Sequence, residues 1–307
     1  IFMLSLGGAI YNPIHSFFLP NMLFRDRESQ TIPEQFWLNM GTLSGVMAAG
    51  FLYSSARMPL ILIISAFFFM IAALFECWFA PCKTVPAERQ SGVNAVWEGF
   101  RHLTGQPEMF YHTGFYLLAN FFFWPVFMIG IPYLFKIEFK LTSLEFILAQ
   151  GAFWAGMVIG VAVNPDEPVR ERVRNIVMKG YLWIGILTFL LSLPLLPWSK
   201  ASFTAWSATM VDMLLAVFLG LVTANINIRM GSYIQSQIID DYREQSWAWL
   251  GSMMALTGSI SCLIGGWLLQ TVPVYWVFIG GGLGMGLILA AMGLRIRTKI
   301  RRRDLRD

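Results

Sequence analysis

Four polar residues recur on one face of a strongly apolar stretch in the second half of the chain. Thr209, Asp212, Thr223 and Asn227 fall within a sector of roughly 60° if residues 204–230 form a helix. Polar side chains are costly inside an apolar helix unless they face a cavity or a partner. The stripe covers roughly 27 Å of helix rise, which suits a water-filled pathway. A second interpretation stays open, in which Thr209 and Asn227 lie at the helix ends and Asp212 pairs with a neighbouring helix.

Asp212 is the ionisable member of this stripe. A carboxyl group buried among apolar helices can change its charge near working pH, because burial opposes the charged form. The stripe therefore predicts ligand contacts from all four residues and proton exchange at Asp212.

A second polar face occurs on the apolar stretch 110–135. Aromatic rings beside a single amide can bind a lipophilic or cationic compound through stacking and cation–π contact. Pro125 and Pro132 can kink a helix beside this face. Ordinary aromatic packing is the alternative. The candidate binding residues on this stretch are Thr113, Tyr116, Asn120 and Trp124.

Asn12 and His15 are two further candidates, about one helical turn apart near the start of the chain. A histidine inside a bilayer can bind a ligand or relay protons, and packing against a backbone carbonyl is the alternative. We place both among the binding residues.

Charged residues near helix ends are candidates for gating, because oppositely charged side chains can hold helix ends together in one conformation. Two loops contain them, one after residue 163 and one before residue 246. The gating candidates are Asp166, Arg170, Arg172, Asp241 and Arg243.

All of these candidates require helices that cross a bilayer. The chain is 56% hydrophobic and 13% charged, against about 45–50% and about 25% in soluble domains. A span needs about 20 mainly apolar residues, and it must be helical because lipid offers no partners for backbone amides. The sequence predicts an all-α polytopic bundle of nine spans, near 1–23, 34–53, 59–80, 110–135, 144–163, 176–197, 204–230, 246–270 and 272–294.

The longest connection divides these spans into groups of three and six. It covers 81–109 and contains an amphipathic segment around Trp97, which we expect to lie along the membrane surface. The predicted domains are three spans over 1–80, this linker, a six-helix bundle over 110–294 and a basic tail over 295–307. Most Lys and Arg residues between spans fall on the side of the linker and tail, which predicts that this side is cytoplasmic. The first span would then start outside, so we expect further spans upstream of Ile1.

Several residue patterns resemble those of the major facilitator superfamily. They include a helix with Asn12-Pro13-Ile14-His15-Ser16, a glycine-bearing span with Gly41, Gly45 and Gly50, the linker sequence Glu98-Gly99-Phe100-Arg101, and an acidic-basic loop from Asn164 to Arg174. Within that superfamily the chain is most similar to the bacterial drug-efflux branch that includes macrolide and siderophore exporters. The resemblance implies helices four to twelve of twelve and a place in the bacterial inner membrane. It also implies alternating access, with residues 204–230 as helix ten, which lines the cavity.

We therefore expect a monomeric secondary transporter that exports a small lipophilic compound by proton antiport, with membrane lipids as its surroundings. A lipid or lysophospholipid flippase of the same fold is the first alternative, and a non-transporting membrane receptor or enzyme is the second. The sequence contains no phosphate-binding loop and no metal-ligand spacing, so we expect no catalysis, cofactor or metal. The basic residues form no stripe with interleaved aromatics, so we expect no nucleic acid partner.

Overall fold

The computed structural model describes residues 31–55, 58–79, 93–105, 107–163, 173–199, 202–237 and 243–303. These segments are helices with short connections, and no β-strand occurs within them. Asn12, His15, Asp166, Arg170, Arg172 and Asp241 lie outside the described residues, as does the predicted span 1–23.

Nine helices are described, and we number them in chain order. The fourth is composite, because α4 runs as an α-helix over Pro107–Pro125, a π-helical turn Val126–Gly130, a short α-helical piece Ile131–Tyr133 and a second π-helical turn Leu134–Glu138. The others are α1 Thr31–Ser55, α2 Met58–Phe79, α3 Val93–Gly105, α5 Ser143–Ala162, α6 Val173–Leu190, α7 Ala205–Gln237, α8 Arg243–Thr271 and α9 Tyr275–Arg303.

The chain is a multi-pass membrane protein. Five stretches of these helices are long and apolar enough to cross a bilayer: Phe110–Glu138, Ser143–Ala162, Val177–Leu195, Ala205–Tyr233 and Trp249–Thr271. The apolar parts of α2 and α9 are shorter, Pro59–Phe75 and Tyr275–Ala291. An all-helical membrane bundle is thus confirmed, whereas the count of nine spans stays a prediction.

Two helices extend past the predicted domain boundaries, which stay predictions. The basic segment after residue 294 begins as part of α9, which continues without a break to Arg303. The span predicted from residue 110 agrees with the apolar stretch that begins at Phe110. The composite helix itself begins at Pro107, where proline is tolerated because a first-turn N–H has no partner within the helix. The six-helix segment therefore starts inside the predicted linker and ends inside the predicted tail.

Proline explains the irregular backbone of α4. Pro125 precedes the first π-helical turn, and Pro132 lies between the two turns. Each proline lacks an N–H and its ring crowds the carbonyl four residues earlier, so the regular α-helical hydrogen bonds cannot continue. The predicted kink is therefore a change from α-helical to π-helical hydrogen bonding, a feature that often marks functional sites in helices.

Glycines set the closest helix contact in the bundle, between α5 and α7. A Cβ atom added to Gly156 would overlap the backbone carbonyl of Val217, and one added to Gly220 would overlap the carbonyl of Phe153. A Cβ atom added to Gly160 would likewise overlap the backbone of Leu221. Such contact between backbones is how helices associate strongly in lipid, where no hydrophobic effect drives them together. These three glycines therefore allow the close approach of α5 and α7.

Two helices before α4 pack against this bundle. The helix α1 lies along α5, where Gly50 faces the side chain of Ile147. The amphipathic helix α3 packs against the first turns of α8, with the rings of Phe100 and Trp249 centred 5.6 Å apart. Trp97 stacks on Phe100 and stays 59% exposed. The amphipathic segment is therefore helical as predicted, and it also has a docking partner that its sequence did not indicate.

Candidate functional site

Asp212 is enclosed by the helix bundle. Its side chain has no exposed surface, and neither carboxylate oxygen has a hydrogen-bond partner among the residues that the structure describes. An unpaired carboxylate in an apolar interior costs several kcal/mol. Such a group must bind a proton, meet a cation or be reached by water at some stage of its function.

Gln150 lies at the same depth as Asp212 on the neighbouring helix. Gly156 contacts Val217 and Gly160 contacts Leu221, so α5 and α7 run parallel, and this register places Asp212 level with residue 151. The side-chain oxygen of Gln150 is buried and has no hydrogen-bond partner in the described part of the chain. We call Asp212 and Gln150 the acidic level.

A second polar group in the bundle lies around Tyr116 and Tyr181. The hydroxyl of Tyr181 is buried without a hydrogen-bond partner among the described residues, and Tyr116 lies close to it. The amide nitrogen of Asn120 donates to the backbone carbonyl of Tyr116 at 2.8 Å. Since Gly180 contacts Ile226, this group is level with residue 225 of α7, between Thr223 and Asn227. We call it the tyrosine level.

The two levels are separated by about 20 Å along α7, given a rise of about 1.5 Å per residue. The predicted stripe on α7 therefore extends over both levels, and its role in ligand binding stays a prediction. Asp212 lies at the acidic level, and Thr223 and Asn227 lie at the tyrosine level. Thr209 and Thr223 are buried, but their hydroxyls donate to Ala205 and Leu219 of their own helix at 2.8 and 2.7 Å. Asn227 is half-buried.

The remaining predicted residues of α4 occupy distinct places. Thr113 is buried, and its hydroxyl has no hydrogen-bond partner in the described segments. Trp124 packs against Gly258 of α8, and its indole nitrogen is buried without a hydrogen-bond partner there. Both residues are therefore inside the bundle, on the face that was predicted from the sequence.

Sequence reasoning missed Gln150 and Tyr181. Gln150 is the only polar residue of α5 after Glu145, so it forms no stripe, and its isolation is the signal that could have found it, because an amide inside a span needs a partner. Tyr181 shares one helical face with Thr188 and Ser192, all three buried, and this spacing is the signal that could have found it. Their relation to Asp212 and Tyr116 follows only from the register of the helices.

Of the predicted gating residues, only Arg243 lies among the described residues. Arg243 begins α8, but its side chain is not among those described.

Among the described residues, no three His, Cys, Asp or Glu side chains come together in a way that could hold a metal ion.

No family model, curated protein or solved structure matches this chain. The resemblance to the major facilitator superfamily therefore rests on the quoted residues alone and stays a prediction.

Chemically, the arrangement can bind and release a proton at one level and hold a ligand at the other. The acidic level contains one group that can change charge and one amide that can hydrogen-bond to either form. The tyrosine level offers a hydroxyl donor, an amide and aromatic surface, which suit a compound with few polar atoms.

Proposed function

We propose that this chain is the main part of a secondary transporter that exports a small lipophilic compound in exchange for protons by alternating access. It would be a member of the major facilitator superfamily of the bacterial inner membrane, with a cytoplasmic C-terminus. Proton uptake takes place at Asp212, and the compound binds at the tyrosine level.

The burial of Asp212 without a hydrogen-bond partner in the described structure carries this proposal. A carboxyl group that only stabilised the bundle would be paired with a donor, since an unpaired one lowers stability. A transporter that couples two ligands needs such a group, which is neutral when enclosed and charged when one side opens to water.

Coupling between the two levels follows from the helix that carries both. Asp212, Thr223 and Asn227 lie on α7, which touches α5 through glycine backbones. When Asp212 loses its proton, its charge favours a conformation in which water reaches it, and α7 then moves at both levels. Proton release and ligand binding thereby become linked equilibria, each shifting the other by the same free energy.

The experiment measures proton flux and efflux of a probe in vesicles that contain the full protein. Ethidium serves as a lipophilic cationic probe, and a pH-sensitive dye inside the vesicles reports proton movement. We expect probe-dependent proton flux with the native sequence and none with Asp212→Asn, because asparagine cannot exchange a proton.

Glu145→Gln is the matched control. Glu145 accepts hydrogen bonds from the backbone and hydroxyl of Thr142 at the start of α5, and glutamine can still accept them. This variant should keep proton flux. Equal proton flux in Asp212→Asn and the native protein would refute the role of Asp212.

A lipid or lysophospholipid flippase of the same fold is the second candidate. An aromatic cluster favours it, in which the rings of Phe127 and Phe153 are centred 4.2 Å apart and Trp154 lies against both. Phe127 and Phe153 are buried in the core, so an acyl chain would reach this cluster when α4 and α5 separate during transport. Transfer of a fluorescent lysophospholipid without proton movement would support this candidate over proton-coupled export.

A further inference from the structure

A cavity of about 190 Å³ lies between the first turns of α5 and α7, and Thr209 of the predicted stripe is among the residues that line it. Its walls are mainly apolar, with Leu141, Leu148, Met210 and Met213 among them, and Lys140 and Glu145 also line it.

The cavity lies beyond the backbone contact of the two helices. They touch backbone to backbone at Gly156, Gly160 and Gly220, and the residues that line the cavity lie toward the first turns of both helices. The same register that pairs Gly156 with Val217 brings Glu145 level with Trp206, and both line the cavity. A wedge-shaped gap thus remains at this end of the bundle.

This gap opens on the lipid-facing side of the protein. Trp206 is 62% exposed, Met210 49% and Leu148 44%. These side chains belong to helices that are long and apolar enough to cross a bilayer, where exposed apolar side chains are in contact with acyl chains. Trp206 is in the first turns of α7, where tryptophan commonly marks the headgroup region. A ligand from the surrounding bilayer could therefore enter sideways.

Lys140 is the charge that such a ligand would meet. No ion pair or hydrogen bond of Lys140 occurs among the described residues, and its backbone φ of 52° lies in the left-handed region. Glu145 also lines the cavity and keeps its negative charge, but the capping box at the start of α5 holds its carboxylate, which accepts two hydrogen bonds from Thr142 at 2.8 Å. The amine of Lys136 donates to the carbonyl of Leu141 at 3.3 Å.

We propose that this cavity binds an anionic phospholipid of the surrounding bilayer, with one acyl chain in the apolar gap and its phosphate on Lys140. A cationic amphiphile would meet Lys140 and a Glu145 carboxylate that already accepts hydrogen bonds from Thr142, and a water-soluble anion would gain nothing from the apolar walls. The site does not depend on proton exchange at Asp212, so it can be tested separately from the proposed function.

The test is native mass spectrometry of the full protein released from nanodiscs that contain equal amounts of phosphatidylglycerol and phosphatidylcholine. We expect retained phosphatidylglycerol in the native protein. Lys140→Gln should weaken its retention by about tenfold, since one charge-assisted hydrogen bond to phosphate is lost. Lys136→Gln is the matched control and should retain the lipid. Asp212→Asn should retain it too, even if that variant loses proton flux.

Met210→Trp provides a second variant, because a larger side chain fills the gap without changing any charge. It should lose the retained lipid while keeping the helix content and melting temperature of the native protein. Equal retention of both lipids in the native protein, or unchanged retention in both Lys140→Gln and Met210→Trp, would overturn the proposal. The proposal would also be overturned if the native protein were a dimer and Met210→Trp a monomer, because a second copy of the chain would then occupy the cavity.

Discussion

Buried polar side chains in this protein differ in whether their own helix supplies a hydrogen-bond partner. Thr209 and Thr223 donate to carbonyls four residues earlier, so their burial costs little. Asp212, Gln150 and Tyr181 have buried polar atoms without such partners among the described residues. Buried polar groups without a hydrogen-bond partner lower stability, and proteins retain them when they bind a ligand or take part in function.

Tyr181→Phe should therefore separate stability from function. Removing a buried hydroxyl that lacks a hydrogen-bond partner should raise the free energy of unfolding by about 1 kcal/mol, because its desolvation cost disappears. The same change should weaken binding of the ethidium probe several-fold if the tyrosine level holds the ligand. Thermal unfolding in detergent and equilibrium probe binding measure the two effects.

Tyr275→Phe is the control for this prediction, since Tyr275 begins α9 away from the tyrosine level. It should leave probe binding unchanged. A Tyr181→Phe protein that binds the probe as tightly as the native one would remove Tyr181 from the site.

At the scale of the helices, the contact between α5 and α7 is the most constrained part of the bundle. Gly156 lies against backbone atoms, which cannot rotate away as a side chain can. Gly156→Leu should therefore force the helices apart and lower the free energy of unfolding by about 3 kcal/mol, the upper range for overpacked sites. The expected measurement is a clear drop in the thermal unfolding midpoint.

Gly251→Ala is the matched glycine control, because an added Cβ atom there has nothing within 4 Å. Its unfolding midpoint should stay the same or rise slightly, as alanine favours helix. If both variants unfold at the native temperature, the close approach of α5 and α7 does not exist in the membrane.

At the scale of the whole molecule, alternating access requires that the two polar levels open to opposite sides of the membrane at different times. Thr209→Cys and Asn227→Cys place a thiol near each level on the same helix, after Cys77, Cys82 and Cys262 are replaced by serine. A membrane-impermeant maleimide should label the two positions from opposite sides. A bound probe should raise one labelling rate and lower the other, because it shifts the population between two states.

Ala216→Cys is the control for this labelling, since Ala216 is completely buried between the two levels. It should label slowly from both sides under all conditions. Equal and unchanging labelling at Thr209→Cys and Asn227→Cys would indicate a static bundle and contradict alternating access.

The sequence by itself determined that the chain is an all-helical membrane bundle, because long apolar stretches in lipid can satisfy their backbone only as helices. It also indicated the inward face of α7, since the spacing of Thr209, Asp212 and Thr223 follows helical geometry directly. Only the tertiary structure decided which polar residues of different helices lie at the same depth in the bundle. That depth depends on the register between helices. The glycine contacts of α5, α6 and α7 set this register, and the sequence of one helix does not contain it. For that reason the sequence did not show that Gln150 lies level with Asp212, that Tyr181 lies close to Tyr116, or that the stripe of α7 extends over two levels.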